Sequence, residues 1–184
     1  MKKIIFVVLV AVFIFTVLRF FNPAEQEIEL ANPASANCQD QGGRLEKAEF
    51  ESGETFFCFF EDGSQCEEWD FFTGACDKGD LKIETLKAGT GRRAEKGDEV
   101  TVHYVGMLEN ETQFDSSIGK TPFSFVLGEG KVISGWEQGV FGMQAGEIRK
   151  ITVSPNLGYG KTGVSGVIPP DSVLIFEVEV LEIK

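Results

Sequence analysis

Glu99-Val100-Thr101-Val102-His103-Tyr104-Val105 alternates residue by residue. Val100, Val102 and Tyr104 fall on one face and Glu99, Thr101 and His103 on the other, the two-residue period of a strand with one wet side. On either side the same pattern recurs. Leu81–Leu86 alternates, Gly89, Gly91 and Gly97-Asp98 punctuate, and Glu147–Val153 and Val173–Ile183 continue the β character. In the last stretch Phe176, Val178 and Val180 share a face while Leu181 breaks phase, which predicts a bulge or an edge ending there. One short helix interrupts the strands. Ser134-Gly135-Trp136-Glu137 has the S-x-x-E spacing of a capping box, and Trp136, Val140 and Met143 recur at helical spacing so that one face points at the sheet. Gly142 and Gly146 mark the exit. Together these features predict an α+β domain over residues 80–184, a half-wrapped antiparallel β-sheet with one short helix.

The N-terminal part has a different character. Lys2 and Lys3 precede Ile4–Leu18, fifteen residues with Thr16 as the only polar one, followed by Arg19, Phe20 and Phe21. Fifteen helical residues span roughly 22 Å, short of the ~30 Å hydrocarbon core; extension through Phe21 with a snorkelling Arg19 brings the segment close to spanning. Residues 1–21 are therefore expected to form a membrane helix, with a cleaved signal peptide as the alternative. The two lysines place the N-terminus inside and the remainder extracytoplasmic, or secreted if the segment is cleaved. Residues 22–31 include three Glu, lack periodicity and are read as an acidic tether.

Residues 32–77 hold all four cysteines, Cys38, Cys58, Cys66 and Cys76. A module this short needs disulfides or a metal to supplement its core. With no C-x-x-C pair and no His in the segment, two disulfides behind an export signal fit better than a metal site, and all three pairings remain open. Phe56–Phe60 followed by Glu61-Asp62-Gly63-Ser64 predicts one arm of a hairpin with a tight turn. Trp69 is expected in the module's core.

Composition narrows the function. Seventeen Lys and Arg against 29 Asp and Glu give a net charge of −12, which speaks against a nucleic-acid partner. Residues 30–79 carry 11 acids against three bases, a net of −8, and no basic amphipathic helix, a poor match for attack on anionic membranes. Phe is abundant at 17, but Tyr and Trp number only two each, so the position of those four polar-tipped rings is informative.

Two family resemblances follow from the motifs. Asn32-Pro33-Ala34-Ser35, Cys38, Gly42-Gly43, Asp62-Gly63-Ser64-Gln65-Cys66-Glu67-Glu68-Trp69 and Gly74-Ala75-Cys76 resemble a small Cys-rich bacterial domain of unknown function often labelled a hemolysin. Val102–Leu108, Phe114-Asp115-Ser116-Ser117, Pro122–Phe125, Val132–Val140, Ser154-Pro155, Tyr159-Gly160 and Ile168-Pro169-Pro170 run in order across about 105 residues. They strongly resemble the FKBP-type peptidyl-prolyl cis-trans isomerases, enzymes that turn X–Pro bonds. That resemblance implies a catalytic group of Asp115, Tyr159, Trp136 and Ile133, with Trp136 as the floor beneath the substrate proline ring. The Ile133 backbone N–H and the Tyr159 hydroxyl would hydrogen-bond the bound chain. Tyr104, Phe114, Phe123, Val132, Ile168 and Phe176 would bind substrate. Both tyrosines and one of the two tryptophans fall in this set.

The implied chemistry requires no metal and no cofactor. The implied partners are proline-containing polypeptides of exported or cell-envelope proteins and macrolide-type pocket ligands. The alternative is a non-catalytic module that binds a proline segment or a partner at the membrane. Asp115–Pro122 is about one residue shorter than in common small members, which often carry an Arg there; Lys120 is the available substitute for an ion pair with Asp115. Val164 departs from the family pattern in the loop Lys161–Val167, which implies altered selectivity.

Overall fold

The computed structural model describes residues 32–184; the predicted membrane segment and the tether lie outside the described residues. Among the described residues no helix is long and apolar enough to cross a membrane.

The first unit holds helix α1 (Pro33–Asp40), strands β1 (Arg44–Phe50), β2 (Gly53–Phe59) and β3 (Gln65–Glu67), and helix α2 (Glu68–Thr73). The strands form an antiparallel sheet in the order β1-β2-β3. The expected hairpin is present: Phe60 N–H donates to the Ser64 carbonyl across the Asp62-Gly63 turn, and Cys58 pairs with Cys66 across the ladder. Cys38 bonds Cys58, tying α1 to β2, and Cys66 bonds Cys76, tying β3 to the segment after α2. The hairpin register sets Cys58 opposite Cys66, yet each bonds a cysteine outside the hairpin, so the pairing left open by the spacing is decided by where α1 and the segment after α2 pack. Helix α1 was not legible from periodicity; its start is set by Asn32, whose Oδ1 accepts the Ala34 N–H at 2.9 Å. The Asn32 amide in turn donates to the buried Glu68 carboxylate at 2.8 Å, which also accepts from Ser35 Oγ.

The second unit is a six-stranded antiparallel sheet of β4 (Leu81–Lys87), β10 (Ile148–Val153), β11 (Leu174–Ile183), β6 (Glu99–Leu108) and β7 (Gln113–Ser116) in that order, with β8 (Phe123–Val126) also on β6. A small ribbon, β5 (Thr90–Arg93) with β9 (Gln144–Ala145), lies outside that path and was not anticipated. Of the expected inward residues, Val100, Val102, Phe176, Val178 and Val180 are buried, while Tyr104 is half-buried. Leu181 sits at a register shift between β11 and β6, the predicted bulge, with its side chain exposed. In β4 the alternation stops after Ile83, and Leu86 is exposed.

Helix α3 (Ser134–Val140) packs on this sheet. A Cβ on Gly135 would lie 2.3 Å from Val153 Cγ1, and one on Gly139 would lie 2.8 Å from Ile151 Cδ1. Only hydrogen at these two positions lets the helix backbone rest on β10. Two helical expectations need correction. Ser134 caps nothing: the N-cap is Ile133, without a side-chain cap bond, and Glu137 instead accepts the N–H groups of Gly128 and Gly130 at 2.6 and 2.9 Å. The carboxylate finds a closer pair of orphan donors in the preceding loop. Met143 is buried as expected, but the helix ends at Val140 and a turn through Gly142, φ 75°, carries it inward.

The two units share apolar surface. Cys66 and Cys76 belong to the same buried cluster as Leu81, Val153 and Trp136, and Phe50 packs on Phe141 with ring centroids 4.6 Å apart. The Glu95 carboxylate accepts the N–H groups of Glu51 and Ser52 at the β1–β2 turn. The connection is pinned as well, with Gly79 N–H on Ser64 Oγ at 2.9 Å and Asp77 N–H on the buried Asp80 carboxylate at 3.1 Å. The Cys-rich module therefore draws stability from its neighbour as well as from its disulfides. Trp69, expected in the module's core, is instead 46% exposed and set edge-on against Phe72, because Phe60 and Phe71 fill the small interior around Cys38–Cys58.

Gly135→Ala is expected to cost about 1–3 kcal/mol through overpacking against Val153. Val153→Ala should recover part of that loss in the double variant, read as a less-than-additive shift in urea midpoint. Replacing Cys66 and Cys76 with Ala is expected to cost about 2–4 kcal/mol, and because both sulfurs pack in the shared cluster, the unfolding transition of the larger sheet should move with it.

Candidate active site

Aromatic side chains from five elements meet on one side of the larger sheet. Trp136, from α3, is 4% exposed and central. Tyr104 from β6 stands edge-on to it at 5.0 Å, Phe176 from β11 at 5.3 Å, and Phe123 from β8 at 6.1 Å, all with interplanar angles of 73–87°. Phe114 from β7 meets Phe176 edge-on at 5.6 Å. Such edge-to-face contacts set the positive ring edge on the negative ring face and hold each ring in one orientation. Gly106 makes room for them: a Cβ there would lie 2.7 Å from Phe114 Cζ and 3.1 Å from Phe176 Cε1.

The other predicted residues fall around this group. Val132 and Ile133, on the approach to α3, pack against the same core, and Ile168 is buried in it. Tyr159 lies at the rim, 42% exposed, close enough to Tyr104 to bear on its titration. The structure thus brings together Tyr104, Phe114, Phe123, Val132, Ile133, Trp136, Ile168 and Phe176 in one packed group, with Tyr159 and Asp115 at its mouth. One further ring was missed. Phe125 stacks on Phe123 at 5.8 Å and lies 5.8 Å from Trp136; the inward alternation of β8 could have found it.

Asp115 carries the polar chemistry of the mouth. Its Oδ2 accepts the Tyr104 hydroxyl, and its Oδ1 accepts the Ser116 N–H at 2.7 Å. Burial, and then the hydrogen bond to Asp115, push the Tyr104 phenol far above its usual range, so it stays protonated and donating. The suggested Lys120 partner does not form: Lys120 Nζ donates to the Ser116 carbonyl at 2.8 Å. The shortened loop turns that ammonium toward backbone and leaves Asp115 to Tyr104. Two donors remain open at the mouth, since neither the Ile133 N–H nor the Tyr159 hydroxyl has a hydrogen-bond partner among the described residues. His103 points away, its Nδ1 paired with Ser117 Oγ at 3.0 Å. Among the described residues no three His, Cys, Asp or Glu side chains are arranged to hold a metal ion.

An apolar aromatic bowl with a fixed carboxylate and unfilled donors at its rim defines a class of site suited to an apolar group carried on a polar chain. Comparison with known proteins gives the class a family. The model of the FKBP-type peptidyl-prolyl cis-trans isomerases matches residues 90–181, and the chain belongs to that family of enzymes. It is 52% identical over 106 residues to an FK506-binding protein of Neisseria meningitidis serogroup A, covering 57% of this chain and 97% of that protein. It is 49% identical over 105 residues to FK506-binding protein 1 of Dictyostelium discoideum, covering 56% and 98%. FK506-binding protein 2 of Yarrowia lipolytica is 55% identical over 93 residues, covering 50% and 65%. A domain of unknown function, DUF333, matches residues 29–75, in line with the resemblance stated for the Cys-rich module.

The floor and the rim should differ in stability cost. Phe176→Ala is expected to remove about 3–5 kcal/mol, since that ring supports both Phe114 and Trp136. Phe123→Ala, at an exposed lip, should cost less than half as much. Equal shifts in the urea midpoint would contradict this layering.

Proposed function

We propose that the bowl is the catalytic site of a prolyl isomerase acting on X–Pro bonds, and that the sheet with α3 is the FKBP-like fold supporting it. The observation that carries this is the set of edge-on rings around Trp136, with the Ile133 N–H and the Tyr159 hydroxyl unpartnered at the mouth. Rotation about an X–Pro bond breaks amide resonance against a barrier of roughly 18–20 kcal/mol. The twisted amide has lost charge separation, so an apolar bowl favours it over the planar, better hydrated ground state. Trp136 seats the proline ring, flanked by Tyr104, Phe123, Phe176 and Ile168. Ile133 N–H and Tyr159 O–H bond the carbonyls beside it and fix the chain while the amide turns. The Asp115 carboxylate, oriented by Tyr104, sets the field at the twisting carbonyl, which acts only if it is stronger in the transition state. Phe114 and Val132 complete the wall. FK506, named in the relatives, and similar macrolides would compete for the same bowl.

We further infer that the substrates are exported or envelope proteins and that residues 1–21 tether the enzyme to the membrane with both units outside. Two disulfides in the module favour an oxidising compartment, and Lys2-Lys3 before Ile4–Leu18 favours that orientation.

NMR exchange on an Ala-Leu-Pro-Phe peptide with the full chain in nonionic detergent tests the catalytic reading. Catalysis should be abolished by FK506. It should fall about fivefold in Tyr159→Phe, the worth of one hydrogen bond of about 1 kcal/mol, and further in Asp115→Ala. Peptide binding without faster exchange would leave a binding module instead. For location, a non-reducing peptide map of membrane-extracted chain should return both disulfides and an intact N-terminal peptide.

A further inference from the structure

The two units enclose a second cavity, on the far side of α3 from the aromatic bowl. It has a volume of about 830 Å³, within the range of ligand-binding clefts, and lies at a unit boundary where such clefts concentrate. Phe57, Phe141 and Trp69 supply apolar walls, and Phe57 and Phe141 are in ring contact at 6.1 Å. The cleft is also one-sided in charge: Glu67, Asp70 and Glu137 line it against Lys96 alone.

These carboxylates are not equivalent. Glu137 is bound to the Gly128 and Gly130 N–H groups, and Glu67 accepts the Trp69 and Asp70 N–H groups as the N-cap of α2. Burial pushes the Glu67 carboxyl above its usual range against those two bonds. Asp70 alone has no side-chain hydrogen bond or ion pair among the described residues, and it sits beside the half-exposed Trp69. A free carboxylate and a half-exposed indole lining one cleft suit an ammonium or guanidinium with an aliphatic stem. The short strand β3 borders the cleft through Gln65, Cys66 and Glu67.

We propose that this cleft is a second polypeptide-binding site, for an extended segment carrying Lys or Arg between apolar residues. Charge decides among occupants. The chain's own residues 22–31 carry three Glu and a second copy carries −12, so both are repelled by an acidic cleft, whereas a cationic segment is drawn in. Ser134, Glu137 and Gln138 line the cleft while Trp136 of the same helix forms the bowl's floor, so a segment held here keeps its flanking residues near the bowl. That consequence, unlike the binding itself, rests on the isomerase reading.

The probe is a short fluorescein-labelled, proline-free peptide of Lys, Thr and Val, with a Glu-for-Lys counterpart, titrated by anisotropy into the full chain in nonionic detergent. The cationic peptide should bind at least about tenfold more tightly than its counterpart, and the difference should vanish toward ~1 M salt, where the screening length falls to about 3 Å. Asp70→Asn and Trp69→Ala, both on the module's surface, should each weaken it about fivefold while leaving X–Pro exchange unchanged. Equal binding of the two peptides, indifference to both substitutions, or displacement by FK506 would overturn the proposal. Because the probe lacks proline, its result is separate from that of the exchange assay.

Discussion

Gly135 and Gly139 let the backbone of α3 rest on Val153 and Ile151 at distances that no Cβ permits. That approach sets the height of Trp136 above the sheet, and the other rings take their places from it. Tyr104, Phe123 and Phe176 come from three different strands, yet each meets the same indole edge-on. A helix lifted by even a methyl group would part those contacts together, because interiors packed to crystal density cannot absorb the shift locally. The bowl is thus a consequence of helix–sheet distance, with Gly106 doing the same service for Phe114 and Phe176 from below.

The Cys-rich module has too little interior to stand on hydrophobic burial alone. Its buried cluster is Cys38, Cys58 and Phe60, flanked by Leu45 and Phe71. Its second disulfide contributes to the neighbour's core instead, beside Leu81. The contact through Phe50 and Phe57 on Phe141 adds a second patch at the end of α3. Both faces of that short helix are consequently engaged, one by the bowl and the other by the cleft between the units. Any segment seated in the cleft touches the element that carries the floor residue.

Much of the larger unit was legible in the sequence. Strict alternation in Glu99–Val105 and Val173–Val180 reports one buried face, and the break at Leu181 reports the bulge, since a one-residue insertion inverts every side chain after it. The bowl residues were legible only through the ordered family motifs, because rings on five separate elements have no common period. Other features had misleading local signals. Ser134 and Glu137 have capping-box spacing, but the carboxylate binds the Gly128 and Gly130 N–H groups, which no i, i+3 rule includes. Trp69 reads as core by its size, yet the module's interior is already full.

By itself the sequence determined which residues are apolar, where strands alternate, where glycine permits a turn or a close approach, and that four cysteines sit in one short segment. These are properties of neighbouring residues and of chain chemistry. Only the tertiary structure decided that Cys38 pairs with Cys58 and Cys66 with Cys76, that Asp115 is held by Tyr104 and not by Lys120, and that the module closes a cleft over α3. Each of those depends on which distant segments meet, and that is set by the summed burial of apolar surface across the whole molecule, which no local pattern encodes.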